Sequence, residues 1–359
     1  MGPPSQPNSP NDYFQEIGRR AHAYPLPPAD FDPLSATSAH LDKHGLPAQP
    51  HQLSEPELFH HWKLMLGPPF KPVAPEFPKQ GSLLPPLVHQ FDHGRGRSAG
   101  AVHHIENSRN WSGAYIRPTS LYRFVYVAGG WRVPQVSVPA VLPDGAVPGD
   151  DEYRSSTWIG IDGHRRYPKS SLPQIGTSQT VKVVGGKQTV TTGAWWQWWS
   201  QDDQFPPQAR HNPPVPIPNF PVAVGDEILA SLTVQSADEV RFHIKNQTTG
   251  LFTNFLVVAP GPILALGSTA EWIMERPTVL GESRLYPMPS YTDVVFHHCV
   301  AKSVPEVGGA AMTHTLDGAR LIRMYEVFPN PHRTAFVSQP QKTSNRSARV
   351  FYREAGSAG

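Results

Sequence analysis

Cysteine is nearly absent from this chain of 359 residues: Cys299 stands alone, so no intramolecular disulfide can form and no Cys-x-x-Cys pair points to structural zinc. Long hydrophobic runs are also missing, since no stretch reaches the ~18 apolar residues that a membrane span requires. The first residues, Met1 to Tyr13, have neither the basic start nor the apolar run of a signal peptide. Read literally, this predicts a cytoplasmic protein with no membrane partner, although a non-standard secretion route or a truncated start is compatible with it. Charge of one sign is lacking too. Lys and Arg total 31 against 29 Asp and Glu, with 17 His, so no strong field points to nucleic acid.

Proline and glycine, in contrast, are plentiful, at 41 and 29 residues. Both destabilise helix interiors, which argues against a helix bundle and for many turns between short strands. The pattern changes near residue 107. Residues 1–24 read as a disordered or extended tail. Residues 25–106 read as a Pro-rich arm around one short helix, Ser54 to Leu66, in which Ser54 and Glu57 have capping-box spacing and Leu58, Trp62, Met65 and Leu66 form an apolar stripe. The arm has too few apolar residues for a core of its own, so it is expected to pack on the main domain as an integral arm; the competing reading is a removable cover, cut near Arg95 to Arg97 or His103-His104. From 107 to 338, runs such as Arg123 to Val127, Thr180 to Val184, Glu227 to Val234, Val240 to Ile244 and Asp293 to Val300 predict antiparallel strands, with turns at Ala128-Gly129-Gly130, Gly185-Gly186 and Asn246 to Gly250. Residues 339–359 read as a C-terminal tail.

Three segments place polar groups in strand-like, apolar text. In Thr269 to Glu275 a strand directs Glu271, Ile273 and Glu275 to one face, which suits either a solvent surface or a site. In Trp195-Trp196-Gln197-Trp198-Trp199 the alternation sends Trp195, Gln197 and Trp199 one way and Trp196 and Trp198 the other, as expected if one pair fills the core and the other lines a groove. The third segment runs from Ser155 through Trp158 to Gly163 and on to Gln174-Ile175-Gly176.

Taken in order, these motifs resemble the glutamic peptidases, or eqolisins. Asn110 to Ala114 is similar to that family's opening motif, Trp158 to Gly163 to its Trp-Val-Gly-Ile-Asp-Gly, Gln174 to Gly176 to its Leu-Gln-Thr-Gly, Trp195 to Trp199 to its Trp-Tyr-Glu-Trp-Tyr, and Ala270 to Glu275 to its Ala-Glu-Phe-Ile-Ile-Glu. The resemblance implies an all-β fold, an antiparallel β-sandwich of two bent sheets of the concanavalin A-like kind, and an endopeptidase working without metal or cofactor. It places the catalytic pair on Gln174 and Glu275, with Trp158, Asp162, Trp195 and Gln197 as substrate-binding or supporting positions. The expected partner is a protein or peptide substrate, handled by a monomer, in a hollow open to solvent.

Two departures matter. Gln197 stands where the family carries an acid, and Gly193 stands where it carries an Asp, so two carboxylates that tune a catalytic Glu are missing. Together with 17 His that charge in acid, this predicts work in mild acid or near neutrality rather than in strong acid. The rival reading is a catalytically lapsed, lectin-like or peptide-binding β-sandwich that uses its Trp-rich groove.

Overall fold

The computed structural model describes residues 19–78, 87–88, 105–164, 171–200, 214–259, 264–279, 284–329 and 332–354. Its longer strands are β1 (Trp111–Ile116), β2 (Tyr122–Arg132), β3 (Glu152–Ile161), β4 (Ser171–Val184), β5 (Lys187–Ser200), β6 (Glu227–Ser236), β7 (Glu239–Asn246), β8 (Leu251–Val258), β9 (Ala270–Glu275), β10 (Val294–Pro305), β11 (Arg320–Pro329), β12 (His332–Ser344) and β13 (Ser347–Tyr352). Helices α1 (Ser38–Lys43) and α2 (Pro56–Leu66) precede them.

Pairing divides the strands into two layers. A front layer runs β5-β4-β3-β9-β1-β11-β12-β13. A back layer runs β10-β2-β6-β7-β8. Strand β10 belongs to both, because its first residues pair with β13 and its later ones with β2. The change of partner falls at a bulge where His298 takes a left-handed φ of 52°, as bulges that redirect a strand do.

The alternation of side chains builds the core. From the front layer Ala114, Ile159, Ile175, Trp196, Trp198, Trp272 and Met274 meet Val127, Trp131, Ile228, Leu232, Phe242, Ile244 and Phe255 of the back layer. Trp196 and Trp198 thus fill the core as the alternation predicts, while Trp195 and Trp199 turn to the other side of β5 and join Trp111, Tyr115, Trp158, Leu172, Ile273 and Ile322.

The helical part of the arm lies on the outer face of the back layer. Trp62, Met65 and Leu66 of α2, with Leu41 and Leu46, pack on Leu229 and Phe252, and Leu58 packs on Ala128 and Val300. Burying each of these large side chains contributes about 1.5–3 kcal/mol. Polar bonds fix the alignment: Lys245 Nζ donates to Leu64 O at 2.9 Å and Gly67 O at 2.6 Å, and Asn254 donates to His44 O at 2.9 Å.

Several expectations change. The helix begins at Pro56, with Glu55 at its cap and no side-chain capping bond, because Ser54 Oγ is bonded to His51 Nδ1 at 3.0 Å instead. Ala128-Gly129-Gly130 is no turn but the middle of β2. The glycines there make room: a Cβ on Gly129 would lie 2.6 Å from the Trp272 indole nitrogen, and one on Gly130 would lie 2.5 Å from His297. Residues 339–344 and 347–352 form strands, with Ala348 and Val350 in the core, so these residues are not the C-terminal tail expected; Ala21–Ala23 is extended and pairs with β8. The cut sites at 95–97 and 103–104 lie outside the described residues.

Candidate active site

Strand register brings the candidate residues to the outer face of the front layer. Gln197 lies opposite Gln174, Trp195 opposite Gly176, and across β4 Gly176 lies opposite Trp158 and Gln174 opposite Gly160. On the other side of β3, Glu275 lies opposite Ser156, Ile273 opposite Trp158 and Glu271 opposite Gly160. Because residues two apart share a face, Gln174, Gln197, Trp158, Trp195, Glu271 and Glu275 all project to the same side. Trp158 occupies the middle of the diagonal from Gln174 to Glu275. Gly176 lets it lie there, since a Cβ at that position would come within 2.5 Å of the Trp158 Cβ and 2.3 Å of Thr157 O.

The carboxylate of Glu275 is held by two side-chain donors. Trp158 Nε1 donates to Oε2 at 2.7 Å and Asn110 Nδ2 donates to Oε1 at 3.1 Å. Each donor is itself fixed. Asn110 Oδ1 accepts from Ser108 Oγ at 3.0 Å, and Trp158 packs edge-on against Trp111 with centroids 4.9 Å apart. Asn110 opens the first motif, yet sequence reasoning assigned it no role; the signal was a polar residue placed just before a wholly buried strand.

Gln174 is oriented from the opposite side, where its Nε2 donates to Gln197 Oε1 at 2.8 Å. Its own Oε1 is buried and has no hydrogen-bond partner. Leaving a buried acceptor unmatched costs about 1–3 kcal/mol, so it persists where a ligand or water group is meant to meet it.

Glu271 shares this face. Both its carboxyl oxygens are buried without a hydrogen-bond partner; burial pushes its pKa well above the ordinary carboxyl value, the nearby Thr269 hydroxyl offsets this in part, and the charge of Asp162 adds to the rise.

Asp162 is held in a supporting position. Its φ is 71°, and its carboxylate accepts from the backbone N–H groups of Leu266 at 2.6 Å, Gly267 at 3.0 Å and Ser268 at 2.5 Å. It ties the end of β3 to the loop that leads into β9. Burial lifts its pKa to about 6 in spite of those three donors.

The expected open hollow is closed in this structure: Gln174, Trp158, Trp195 and Glu275 are fully buried and Gln197 nearly so. No group of three or more His, Cys, Asp or Glu positioned to hold a metal occurs among the described residues.

Comparison with known proteins agrees with the order of motifs. Residues 109–335 match the profile of the Peptidase A4 family. Among solved structures, scytalido-glutamic peptidase bound to a transition state analog inhibitor is 20% identical over 68% of this chain and 98% of that one, with a TM-score of 0.49. SCP-B, a member of the Eqolisin family of peptidases in complex with the tripeptide Ala-Ile-His, is 20% identical over the same shares, with a TM-score of 0.46. Aspergilloglutamic peptidase from Aspergillus niger is 18% identical over 56% of this chain and 99% of that one, with a TM-score of 0.42. No curated protein matches the chain.

Proposed function

Since the chain belongs to the Peptidase A4 family of glutamic peptidases, hydrolases of peptide bonds, we propose that Gln174 and Glu275 are the catalytic pair by which it cleaves a protein or peptide substrate. The observation that carries this reading is the pair of N–H donors, Trp158 and Asn110, aimed at the Glu275 carboxylate on the face that also presents Gln174. Donors of this kind favour the ionised form, which is the form a general base needs.

In the cycle that follows, Glu275 takes a proton from a water whose oxygen bonds to the scissile carbonyl carbon. The carbonyl oxygen gains the displaced electron pair and is met by the Gln174 N–H that Gln197 leaves free. The tetrahedral intermediate then collapses, the C–N bond breaks, and the proton held by Glu275 passes to the leaving nitrogen. One residue moves protons and the other holds charge. Gln197 serves as a positioning residue, because its carbonyl fixes the Gln174 amide. An amide acceptor does this at any pH, so activity is expected to extend from mild acid towards neutrality. With the pair buried, the peptide reaches it only when the covering of this face opens.

Glu275→Gln preserves size and removes the base, so turnover of a denatured protein substrate should fall about 10³–10⁴-fold. Gln174→Ala should lower it about 10²–10³-fold. Both proteins should keep the wild-type melting temperature within a few degrees. Full activity in Glu275→Gln would remove the assignment.

A further inference from the structure

Four histidines meet where α2 sits on the back layer, on the side of the sandwich away from Gln174 and Glu275. His60 and His61 come from the helix, and His297 and His298 come from the bulge in β10. The His60 and His298 rings are 4.9 Å apart and those of His297 and His298 4.8 Å apart. His61 is fully buried, and neither of its ring nitrogens has a hydrogen-bond partner. A fifth, His243 of β7, is buried under the arm, with its ring bonded to Gly45 O at 3.0 Å and Ser231 Oγ at 3.2 Å. These rings do not form a metal-holding group.

The charges around the cluster are mostly positive. Arg346 acts on His298, Arg241 acts on His243, and Lys245 reaches the last carbonyls of α2. The acid facing the cluster, Glu227, is already engaged by His297 and by Arg132, whose Nε lies 3.7 Å away. Further from the rings, the arm is held by ion pairs from Glu55 to Lys302 at 2.6 Å and from Asp42 to Arg241 at 3.0 Å. A proton arriving on His61 or His298 therefore brings a buried positive charge with no free counter-ion.

We propose that this histidine cluster makes docking of the N-terminal arm acid-labile: neutral rings let α2 sit on β2 and β10, and protonated rings release the arm while the sandwich remains folded. The chemistry concerned is independent of the catalytic assignment.

The titration of the groups supports this direction. Burial, followed by the neighbouring His298, His297, His60 and His243, holds His61 down to about 3. Burial, then His297, His60 and Arg346, holds His298 down to about 4 although Glu227 opposes it. Burial and Arg241 hold His243 down to about 3 in spite of its two hydrogen bonds. All three are neutral when docked but accept protons near the ordinary histidine value, about 6.5, once released. Docking is therefore at full strength above that value. It weakens as pH falls through 6.5 towards the docked values, by up to about tenfold per pH unit for each histidine. Glu55 does not break first. Burial raises its pKa, but its bonds to Lys302 and His51 outweigh burial and keep it below the ordinary range. Glu227 behaves likewise, with His297 and Arg132 outweighing burial.

Hydrogen exchange on the full chain, followed by mass spectrometry and corrected for intrinsic rates, tests the proposal. Between pH 6.5 and 4.5 the amides of Pro56–Leu66 should lose at least about a hundredfold in protection, which is the effect of a single histidine at tenfold per unit over two units, while Glu239–Asn246 and Ala270–Glu275 keep theirs. His61→Leu should move the helix midpoint at least about half a pH unit towards acid. His298→Asn, which retains a residue tolerant of left-handed φ, should move it the same way and decides the matter if His61→Leu does not fold. Helix protection that is flat down to pH 4, loss in step with both strands, or a wild-type midpoint in the folded variants would each overturn the proposal.

Discussion

The two outer faces of the sandwich carry similar residues to opposite ends. On the back face the buried polar groups are matched to the arm: Lys245 takes two helix carbonyls, Asn254 takes His44 O, and Arg241 takes Asp42 and Tyr24. On the front face the donors converge on one carboxylate, and buried oxygens of Gln174 and Glu271 are left over. A satisfied polar group describes a joint, whereas an unsatisfied one reserves a place for something else. His61 is an exception on the back face, and it is there that the joint is sensitive to protons.

This contrast can be broken by substitution. The largest effect is expected from Trp62→Ala, which empties a buried site between the arm and Phe252 and should cost docking about 3–5 kcal/mol. Its readout is protection of α2 against exchange at pH 7, and peptidase turnover should stay within about threefold. Trp158→Phe should do the reverse. It removes one hydrogen bond to a charged group, worth about 1.5–3 kcal/mol, and should lower kcat about ten- to a hundredfold. The melting temperature should fall by only a few degrees in that variant, less than the loss of turnover would imply for a merely structural role. If Trp62→Ala silenced the enzyme while Trp158→Phe only lowered its melting temperature, the division between joint and site would be reversed.

The smallest effect sharpens the picture within the front face. Burial raises the Glu271 pKa and so favours its neutral form, which Glu271→Gln imitates in charge and shape. Turnover from pH 4 to 7 should remain within about threefold of wild type. A loss above about tenfold in kcat would make Glu271 part of the machinery around Glu275.

Much of the architecture was legible because strand alternation is a local property. The split of Trp195 and Trp199 from Trp196 and Trp198 followed from a period of two and is what the two clusters show. The glycine pair at 129–130 misled for an equally physical reason: it reads as a turn until Trp272 and His297 arrive from other strands and demand space. Asp162 was placed beside the site by resemblance alone, and only the fold shows its left-handed backbone setting the carboxylate against the N–H groups of residues 266–268. Residues 339–352 looked polar and free, yet every second side chain of β13 enters the core.

By itself the sequence determined the strand-rich class, the order of its motifs and the face to which each side chain turns, since these depend on backbone geometry over a few residues. Tertiary structure alone decided that Trp158 and Asn110 meet Glu275, that Gln197 meets Gln174, and that the helices of the arm pack on the back layer. Those contacts join residues 23 to 165 positions apart or more. They depend on which strands become neighbours and in what register, and no local pattern carries that information.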